Sequence, residues 1–380
     1  METPLFYHNK QPIFPLGFGC MRLPVRENGE INLEHLEQMV DYYIAHGGSY
    51  FDTAFGYHKQ RSESAMREAL VRRYQRDSFL LATKLPAWKY HVHSAEQARD
   101  MFYTQLERLD CGWMDYYLFQ NMGEERTEAF DRYDLWSFVS ELKEKGLVHH
   151  FGVSVHDKPE HIEYLLNSHP EIEFVQLQIN YADWKNPSVE AMRCYEVAEA
   201  YQKPVVVMEP VKGGVLNVIP PEVQKIFDDS AVQHTNPEWA LLFAASHKDV
   251  ALVLSGMSDL EQVRENVSSF KNMKPMSEEE SLTIEKVQDV LKNIDQIACT
   301  DCRYCMEECP GKVKIPKVMT ALNFEKMYQN RKMAVHYYFS NVFLEGKASQ
   351  CLQCGRCEKI CPQHISICSM LKDAVRLFGE

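Results

Sequence analysis

The sequence predicts an α/β protein in which a closed (β/α)8 barrel is followed by a small cysteine-rich domain. Short apolar runs alternate with amphipathic helical stretches through residues 1–275, and eight such runs can be recognised. Two copies of one cysteine pattern then follow near the C-terminus. Alternation of strand and helix implies a parallel sheet, and eight repeats favour a closed barrel over an open, doubly wound sheet.

The predicted strands are short apolar runs. In chain order they cover residues 17–21, 49–52, 79–84, 115–119, 150–154, 174–178, 204–208 and 250–254. The open-sheet alternative is disfavoured because Gly17-Phe-Gly19 is not followed by the third glycine of a dinucleotide-binding fingerprint.

Helical spacing of apolar residues predicts the elements between the strands. These helices cover residues 33–45, 63–74, 95–109, 133–145, 189–201 and 261–270. A further helix is predicted over 278–297, with three glutamates at the favourable end of its dipole. We therefore expect a barrel over residues 1–275, a linker helix over 276–298 and the cysteine domain over 299–380.

The cysteine pattern is Cys-x2-Cys-x2-Cys-x3-Cys-Pro, and it occurs twice. The eight residues are Cys299, Cys302, Cys305, Cys309, Cys351, Cys354, Cys357 and Cys361. This spacing is typical of two [4Fe–4S] clusters, in which the fourth cysteine of each run reaches the other cluster. Zinc is the alternative, but zinc needs four ligands from two pairs, whereas each run supplies four and closes on proline.

The crossover rule assigns Cys361 to the cluster of the first run and Cys309 to that of the second. Between the runs, residues 317–342 show helical periodicity, and the gap is longer than a compact bacterial ferredoxin needs. The small domain is therefore expected to be mainly helical and ferredoxin-like, similar to the helical ferredoxin modules of respiratory iron–sulfur subunits. The other four cysteines, Cys20, Cys111, Cys194 and Cys368, are expected to pack as small core residues.

Composition restricts the class of partner. The 380 residues carry a formal charge of −13, which argues against nucleic-acid binding. Residues 299–380 hold 12 Lys+Arg and 8 Asp+Glu, a balance of +4, which leaves −17 for the rest of the chain. We interpret the basic excess as compensation for anionic clusters, with a docking face as the alternative.

Because no secretory signal or long apolar span is present, we expect a cytoplasmic protein of an oxygen-poor cell, without membrane insertion.

Polar residues follow three successive predicted strands. Asp52 ends strand two and Tyr57 follows it, Lys84 ends strand three, and Gln120 follows strand four. Functional residues of a barrel gather at the carboxyl ends of its strands, so these side chains are expected to converge. They suggest a phenol whose proton is made available by an ammonium, itself held by a carboxylate.

Several segments together resemble the aldo-keto reductase family. They are Gly17-Phe-Gly-Cys-Met-Arg-Leu23, Phe51-Asp-Thr-Ala-Phe-Gly-Tyr57, Ser62-Glu63, Ala82-Thr-Lys84, Asp115-Tyr-Tyr-Leu118, Gly152-Val-Ser154 and Glu209-Pro210. The whole chain is similar to the bacterial and archaeal branch that carries a dicluster ferredoxin module. The resemblance implies a barrel that uses a nicotinamide cofactor to reduce a carbonyl or oxidise an alcohol of a small-molecule substrate.

Family roles transfer to four positions. Tyr57 would be the general acid, Lys84 would lower its pKa, and Asp52 would orient Lys84. The fourth position, a histidine in relatives, is Gln120, whose amide can donate a hydrogen bond but cannot titrate near neutral pH. Three interpretations follow: a slower carbonyl reductase, an enzyme for another substrate such as an enone or polyol, or a barrel whose usual chemistry has lapsed.

The resemblance also implies cofactor contacts. Ser154 and Gln178 would hold the nicotinamide carboxamide, Met208 would lie against its ring, and Gly213 and Gly214 would admit the pyrophosphate. Trp88, Tyr90 and Phe119 would form an apolar substrate wall.

After strand eight, Gly256 and Ser258 precede a helix that could cradle a phosphate. The position of the arginine that grips a 2′-phosphate in relatives is Gln262, and Glu265 and Asn266 suit ribose and adenine. We therefore expect a preference for NAD(H) over NADP(H), with Arg264 as the alternative phosphate ligand.

Hydride carries two electrons, whereas an iron–sulfur cluster accepts one, so a flavin or a redox partner protein would have to link them. No short motif indicates a flavin. The competing class is an iron–sulfur electron-transfer subunit, or a flavin-linked reductase, in which the barrel is not a classical carbonyl reductase but a docking scaffold.

Overall fold

The structure is a computed structural model, and it describes residues 5–87, 92–187, 189–294, 297, 299, 304–343, 345–361 and 365–379. The predicted wall residues Trp88 and Tyr90 and the predicted ligand Cys302 lie outside these ranges.

Eight parallel strands close into a barrel in sequence order. They are β1 (Leu16–Gly19), β2 (Tyr50–Asp52), β3 (Leu80–Leu85), β4 (Met114–Met122), β5 (Val148–Val155), β6 (Phe174–Gln178), β7 (Val205–Met208) and β8 (Val250–Gly256). The barrel closes where β8 pairs with β1, with Val253 opposite Leu16. The predicted (β/α)8 fold is confirmed.

A short N-terminal hairpin covers the end of the barrel where the strands begin. Its strands, Tyr7–His8 and Gln11–Pro12, pair antiparallel, and Phe6 before them is buried. The Phe6 ring stacks on Tyr116 at 5.2 Å and meets Phe174 edge-on at 5.4 Å. Because this end is filled by aromatic side chains, the opposite end, where the strands finish, is left for function.

Helices follow the strands along the chain. They are α1 (Leu33–Ala45), α2 (Ser62–Met66), α3 (Ala95–Leu109), α4 (Glu124–Arg132), α5 (Leu135–Glu144), α6 (Pro159–Ser168), α7 (Ala191–Ala200), α8 (Pro221–Asp228), α9 (Asn236–Ala245) and α10 (Leu260–Lys271). The bounds of α1 and α3 match the prediction. The predicted helix 63–74 is shorter and continues as a π-helical turn, Arg67–Val71.

Four helices, α4, α6, α8 and α9, were not predicted. In α9 the residues from Trp239 to Ala244 are all buried, so the helix has no polar face to create an amphipathic period. Helix α4 was not predicted for the opposite reason. Most of its residues are charged or polar, so its apolar stripe is too narrow to give a helical period.

The chain divides into two compact units. The first comprises residues 1–184, 189–213 and 238–276, and the second comprises 185–188, 214–237 and 277–380. The second unit thus takes in the segment that carries α8, in addition to the C-terminal residues. The domain boundaries inferred from the sequence stay a prediction.

The second unit is helical, as predicted. Beyond α8 it contains α11 (Glu278–Asn293), α12 (Tyr304–Glu307), α13 (Ile315–Tyr328), α14 (Arg331–Asn341), α15 (Arg356–Ile360) and α16 (Ile367–Phe378). A capping box between Ser277 and Glu280 starts α11. This helix ends before Ile294, which is extended, so it is shorter than the predicted 278–297.

The helical stretch predicted over 317–342 is broken into two helices. Gln329 adopts a left-handed conformation with φ of 47°, and the side chain of Asn330 accepts the Met333 N–H at 3.0 Å. Asparagine is a strong N-cap residue, and this cap starts α14. The periodicity of apolar residues alone did not reveal the break.

Among the helices in the described part of the chain, none is both long enough and apolar enough to span a bilayer.

Candidate active site

A buried ion pair lies at the carboxyl ends of β2 and β3. The Lys84 ammonium donates to the Asp52 carboxylate and, at 2.9 Å, to the Thr53 carbonyl oxygen. Asp52 is 2% exposed and Lys84 is 1% exposed. Gln176 on β6 donates to the second Asp52 oxygen at 3.2 Å, so the carboxylate is held from two sides.

Tyr57 lies beside this pair. Its ring centre is 5.3 Å from Lys84 Nζ, and its side chain is half-buried. The pKa of Tyr57 is raised above its ordinary value, because the effect of burial exceeds the lowering effect of the positive charge of Lys84. Burial alone would lower the pKa of Lys84, but the negative charge of Asp52 reverses this and raises it. The structure therefore brings together the three predicted residues as a protonated phenol beside a permanent ammonium.

A second buried network supports the end of β3. Glu63 on α2 is completely buried and accepts hydrogen bonds from Thr83 Oγ1 at 2.8 Å and from Gln105 Nε2 at 2.7 Å. The same Gln105 nitrogen reaches the Lys84 carbonyl oxygen at 3.0 Å, and Arg108 supplies the positive charge at 3.3 Å from Glu63. These contacts fix the backbone that carries Lys84.

Gln120 lies near the end of β4, where the ladder to β5 becomes irregular between Phe119 and Met122. The next residue, Asn121, has φ of 55°, and its N–H donates to Ser154 Oγ at 2.9 Å. Ser154 is buried at the end of β5. The end of β4, which carries Gln120, is therefore held next to Ser154 by this hydrogen bond.

The predicted role of Phe119 as part of a substrate wall is wrong. Phe119 is fully buried, and its ring stacks on Phe130 at 4.5 Å and meets Trp136 and Phe151 at 4.8 Å and 4.7 Å. Phe130 belongs to α4, which was not predicted, so the sequence did not show what would cover this side of β4.

Asp183 is a buried residue of the site that sequence reasoning missed. It is completely buried and accepts hydrogen bonds from Gln178 Nε2 at 2.7 Å and from Asn180 Nδ2 at 2.8 Å. The Lys212 ammonium donates to its other oxygen. A carboxylate after β6 and a lysine after β7 were a usable signal, because the ends of neighbouring parallel strands meet.

The ends of β6 and β7 bring together two predicted nicotinamide contacts. Gln178 and Met208 are opposite each other in the ladder. Because Asp183 holds the Gln178 nitrogen, the amide oxygen points the other way. Farther along the chain, Gly213 and Gly214 have φ of 64° and 93°, a region that side chains disfavour.

The loop after β8 leads into α10 through a helix cap. Asp259 accepts the Gln262 N–H at 2.9 Å, and Gln262 Oε1 accepts the Ser258 N–H at 2.9 Å. Asn266 donates to Ser255 Oγ at 2.9 Å. Gln262 is therefore engaged in the cap.

Two further residues of α10 lie near this cap. Glu265 is exposed on the helix. Arg264 is the predicted alternative ligand of the 2′-phosphate. Its guanidinium lies over the Tyr42 ring, 5.5 Å from the ring centre.

Arg22 was not predicted to belong to this site. Its side chain lies across Gly256, where an added Cβ would be 3.3 Å from the Arg22 side-chain carbons. Its carbonyl oxygen accepts the Ser258 hydroxyl at 3.1 Å. The Arg22 side chain therefore lies beside the predicted phosphate cradle.

Two cysteines of the second unit accept hydrogen bonds at their sulfur atoms. Cys351 Sγ accepts the Gln353 N–H at 3.4 Å and the Gln353 side-chain amide at 3.3 Å, and Cys309 Sγ accepts the Val313 N–H at 3.4 Å. Such hydrogen bonds stabilise cluster sulfur ligands. Within the described residues, no group of three or more metal-ligating side chains already surrounds a common position.

The turn after Cys309 packs against the start of the second run. A Cβ on Gly311 would lie 2.3 Å from the Gln350 carbonyl oxygen, so only glycine fits. This contact lies two residues from Cys309 and one residue from Cys351.

Of the four cysteines expected in the core, three are buried: Cys20, Cys111 and Cys194. Burial raises the pKa of Cys111 and of Cys194 to about 12, so both thiols stay protonated. Cys368 is only partly buried, but it packs against the core of the second unit, and its thiol lies beside that of Cys357.

Comparison with known proteins gives two family matches. A family model described as the aldo/keto reductase family matches residues 15–289, and one described as a 4Fe-4S dicluster domain matches residues 298–365. Among curated proteins, the uncharacterized oxidoreductase YqkF of Bacillus subtilis (strain 168) is 26% identical over 317 residues, covering 74% of this chain and 95% of that protein. Norsolorinic acid reductase B of Aspergillus parasiticus is 26% identical over 156 residues, covering 37% of this chain and 40% of that protein.

Solved structures share the barrel fold. An aldo-keto reductase of Bacillus halodurans in its holo form superposes with a TM-score of 0.58 at 24% identity, covering 73% of this chain and 93% of that chain. An aldo-keto reductase of Klebsiella pneumoniae in complex with NADPH gives a TM-score of 0.56 at 18% identity, covering 76% and 95%.

Proposed function

Because the chain belongs to the aldo-keto reductase family, we propose that its barrel uses a nicotinamide cofactor to reduce a carbonyl, or oxidise an alcohol, of a small molecule with Tyr57 as the proton donor. The observation that supports this most directly is the buried pair of Asp52 and Lys84 beside the Tyr57 ring. A buried ammonium that is paired on one side and next to a phenol on the other is suited to acid–base catalysis.

The three residues have separate roles in this proposal. Tyr57 gives its proton to the substrate oxygen during reduction and takes it back during oxidation. Lys84 keeps its charge because Asp52 raises its pKa, so it can stabilise the phenolate that Tyr57 becomes. Asp52, fixed by Gln176, holds Lys84 in place. A bound nicotinamide would supply or accept the hydride.

The residues at the barrel mouth fit a nicotinamide cofactor. Gln178 is oriented by Asp183 so that its amide oxygen can accept from a carboxamide nitrogen, and Ser154 contributes a hydroxyl at the neighbouring strand end. Gly213 and Gly214 allow close approach of a pyrophosphate.

We propose NAD(H) as the preferred cofactor, although the relative from Klebsiella pneumoniae binds NADPH. A 2′-phosphate needs a cationic or bidentate partner. At the position where relatives place an arginine, Gln262 is neutral and engaged in the helix cap, and Arg264 lies over Tyr42. Glu265 and Asn266 remain as partners for ribose and adenine.

We propose two [4Fe–4S] clusters in the C-terminal dicluster domain. Cys299, Cys302, Cys305 and Cys361 would hold one, and Cys351, Cys354, Cys357 and Cys309 would hold the other. The packing of Gly311 on Gln350 and the N–H···S hydrogen bonds to Cys309 and Cys351 support this assignment. Such clusters transfer single electrons.

A second candidate function is an iron–sulfur electron-transfer or flavin-linked protein in which the barrel does not act as a classical carbonyl reductase. Gln120 stands in place of the family's histidine and favours this alternative. Unlike histidine, its amide cannot exchange a proton near neutral pH with a group at the substrate oxygen. The experiment that separates the two candidates is anaerobic addition of NADH to cluster-loaded protein. For a separate carbonyl reductase, we expect the iron–sulfur absorbance to persist with NADH and to bleach with dithionite. Prompt bleaching by NADH would instead favour a linked electron path.

Replacing Tyr57 with phenylalanine tests the proton donor. We expect NADH-dependent reduction of a panel of aldehydes, ketones and enones to fall about 100-fold or more, because general acid catalysis contributes at least that much. Binding of NADH, measured by fluorescence, should stay within about two-fold, since Tyr57 is not a proposed cofactor ligand.

The control for this variant is Tyr164→Phe, which removes an exposed hydroxyl on α6. It should keep the parent rate. A Tyr57→Phe protein that retains the full reductase rate would show that another group protonates the substrate.

A further inference from the structure

The second cysteine run reaches the protein surface at Cys354. Of the cysteines that the structure describes, Cys354 is the exposed one, whereas Cys305, Cys357 and Cys361 are buried. A cluster held partly by Cys354 would have one ligand at the solvent boundary. Electrons exchanged with another protein must pass through such a boundary, so this is the favoured place for them to enter or leave.

Apolar side chains flank Cys354. Leu352, two residues before it, is 68% exposed, and Ile360, at the end of α15, is 41% exposed. Neither packs in the buried core of the small unit. Large apolar side chains exposed close together on a polar surface mark interaction sites.

The exposed residues of α15 lie on one side of the helix. Residues three and four positions apart share a helix face, which places Arg356, Lys359 and Ile360 together. All three are exposed, whereas Cys357 between them is buried. Leu352 and Cys354 are in the loop that leads directly into this helix.

The charge of this surface is positive. Arg356 and Lys359 are exposed, whereas the acidic residue between them, Glu358, accepts the Cys368 N–H at 2.8 Å and so caps α16.

We propose that Leu352, Cys354, Arg356, Lys359 and Ile360 form a docking face for an acidic one-electron carrier protein, an inference that rests on the proposed cluster at the second cysteine run. The basic residues attract an acidic partner and orient it, and the apolar residues provide a small dry contact. A small interface of this kind suits the short-lived complexes of electron-transfer proteins. A second copy of the chain is disfavoured, because two such faces would bring like charges together.

The test uses full-length, cluster-loaded protein under anaerobic conditions. Binding of two purified probes, a bacterial flavodoxin and an acidic two-cluster ferredoxin, is measured by calorimetry at low and high NaCl. We expect at least one probe to bind, with an affinity that falls as salt rises. The double variant Arg356→Glu/Lys359→Glu should weaken that binding about ten-fold or more, and Leu352→Ser should weaken it about three-fold or more.

The control is Arg376→Glu, which reverses the charge of one exposed residue of α16, half the charge change of the double variant. It should alter the affinity less than about two-fold. The docking face is wrong if neither probe binds, if Arg376→Glu weakens binding as much as the double variant, or if the protein self-associates through Leu352 instead.

Iron and sulfide contents are measured for every variant in the same preparations. Protein that holds no cluster would contradict the proposed function. Protein with full clusters and no carrier binding would contradict the docking face alone.

Discussion

At the residue scale, the polar residues at the ends of β2 and β3 were predictable because parallel strands bring their ends together. Asp52, Lys84 and Tyr57 meet as the sequence indicated. Asp183 was missed because its significance depends on a turn: its own N–H and carboxylate both bond Asn180, which folds the chain back beneath Gln178. The carboxylate after β6 and the lysine after β7 are visible in the sequence, but their spacing does not encode this turn.

The Asp183→Asn variant tests the orientation of Gln178. An asparagine at this position can donate to Gln178 as well as accept from it, so the Gln178 amide is free to turn over, and Lys212 loses its buried counter-charge. We expect the dissociation constant of NADH to rise about ten-fold. The KM for NADH should rise by a larger factor than the factor by which kcat falls.

A matched control is Asp100→Asn, an exposed carboxylate of α3 that should leave NADH affinity unchanged. Because Asp183 is buried, thermal unfolding should be measured alongside. If NADH binds the folded Asp183→Asn protein as tightly as the parent, Gln178 is not a nicotinamide contact that Asp183 positions.

At the element scale, the strands were predictable because continuous short apolar runs are typical of strands buried on both faces. Helices that lack a two-sided pattern were not, as α9 with its uniformly apolar residues shows. The break between α13 and α14 depends on one left-handed residue, Gln329, followed by a capping asparagine. Side-chain periodicity continues across such a break, so only the local cap signal could have indicated it.

The turn at Gly311 offers a test at this scale. Gly311→Ala would place a methyl group on the Gln350 carbonyl oxygen, so the turn after Cys309 must move away from the second cysteine run. We expect the cluster that depends on Cys309 to be lost or labile, with iron content falling towards half, and a stability cost of about 1–3 kcal/mol.

Gly112→Ala is the control for backbone strain alone. Gly112 has φ of 78°, and nothing lies within 4 Å of an added Cβ. This variant should destabilise the barrel by about 1 kcal/mol and keep its iron. Equal iron loss in both variants would argue against a specific contact of the Cys309 turn.

At the scale of the whole molecule, two chemistries are joined in one chain. The barrel belongs to the aldo-keto reductase family, and we propose that it transfers hydride and proton, whereas the cysteine domain is of a kind that transfers single electrons. The sequence showed both parts, because each has a pattern of its own: strand–helix alternation in one, and cysteine spacing in the other. It did not show that residues 214–237 fold with the second unit, since that grouping depends on tertiary packing.

Cysteine replacement tests the number and location of the clusters. Cys305→Ala should lose about half of the iron and one of the two electron paramagnetic resonance signals of reduced protein, because Cys305 is a proposed ligand of one cluster only. NADH binding to the barrel should be unaffected.

Cys368→Ala is the matched control, since Cys368 neighbours Cys357 but stands outside the two repeated patterns. It should keep both clusters. Unchanged iron in Cys305→Ala would remove that residue from the ligand set, and loss of a cluster in Cys368→Ala would add Cys368 to it.

The pairing of β8 with β1 has a consequence for biosynthesis. The strand that completes the barrel, Val250–Gly256, is separated from its partner, Leu16–Gly19, by most of the first unit's sequence. One edge of β1 therefore has no strand to pair with until translation has passed residue 256, and an open edge is a site for mispairing. The cysteine runs are synthesised after that point, so iron is needed only once the nascent barrel can close.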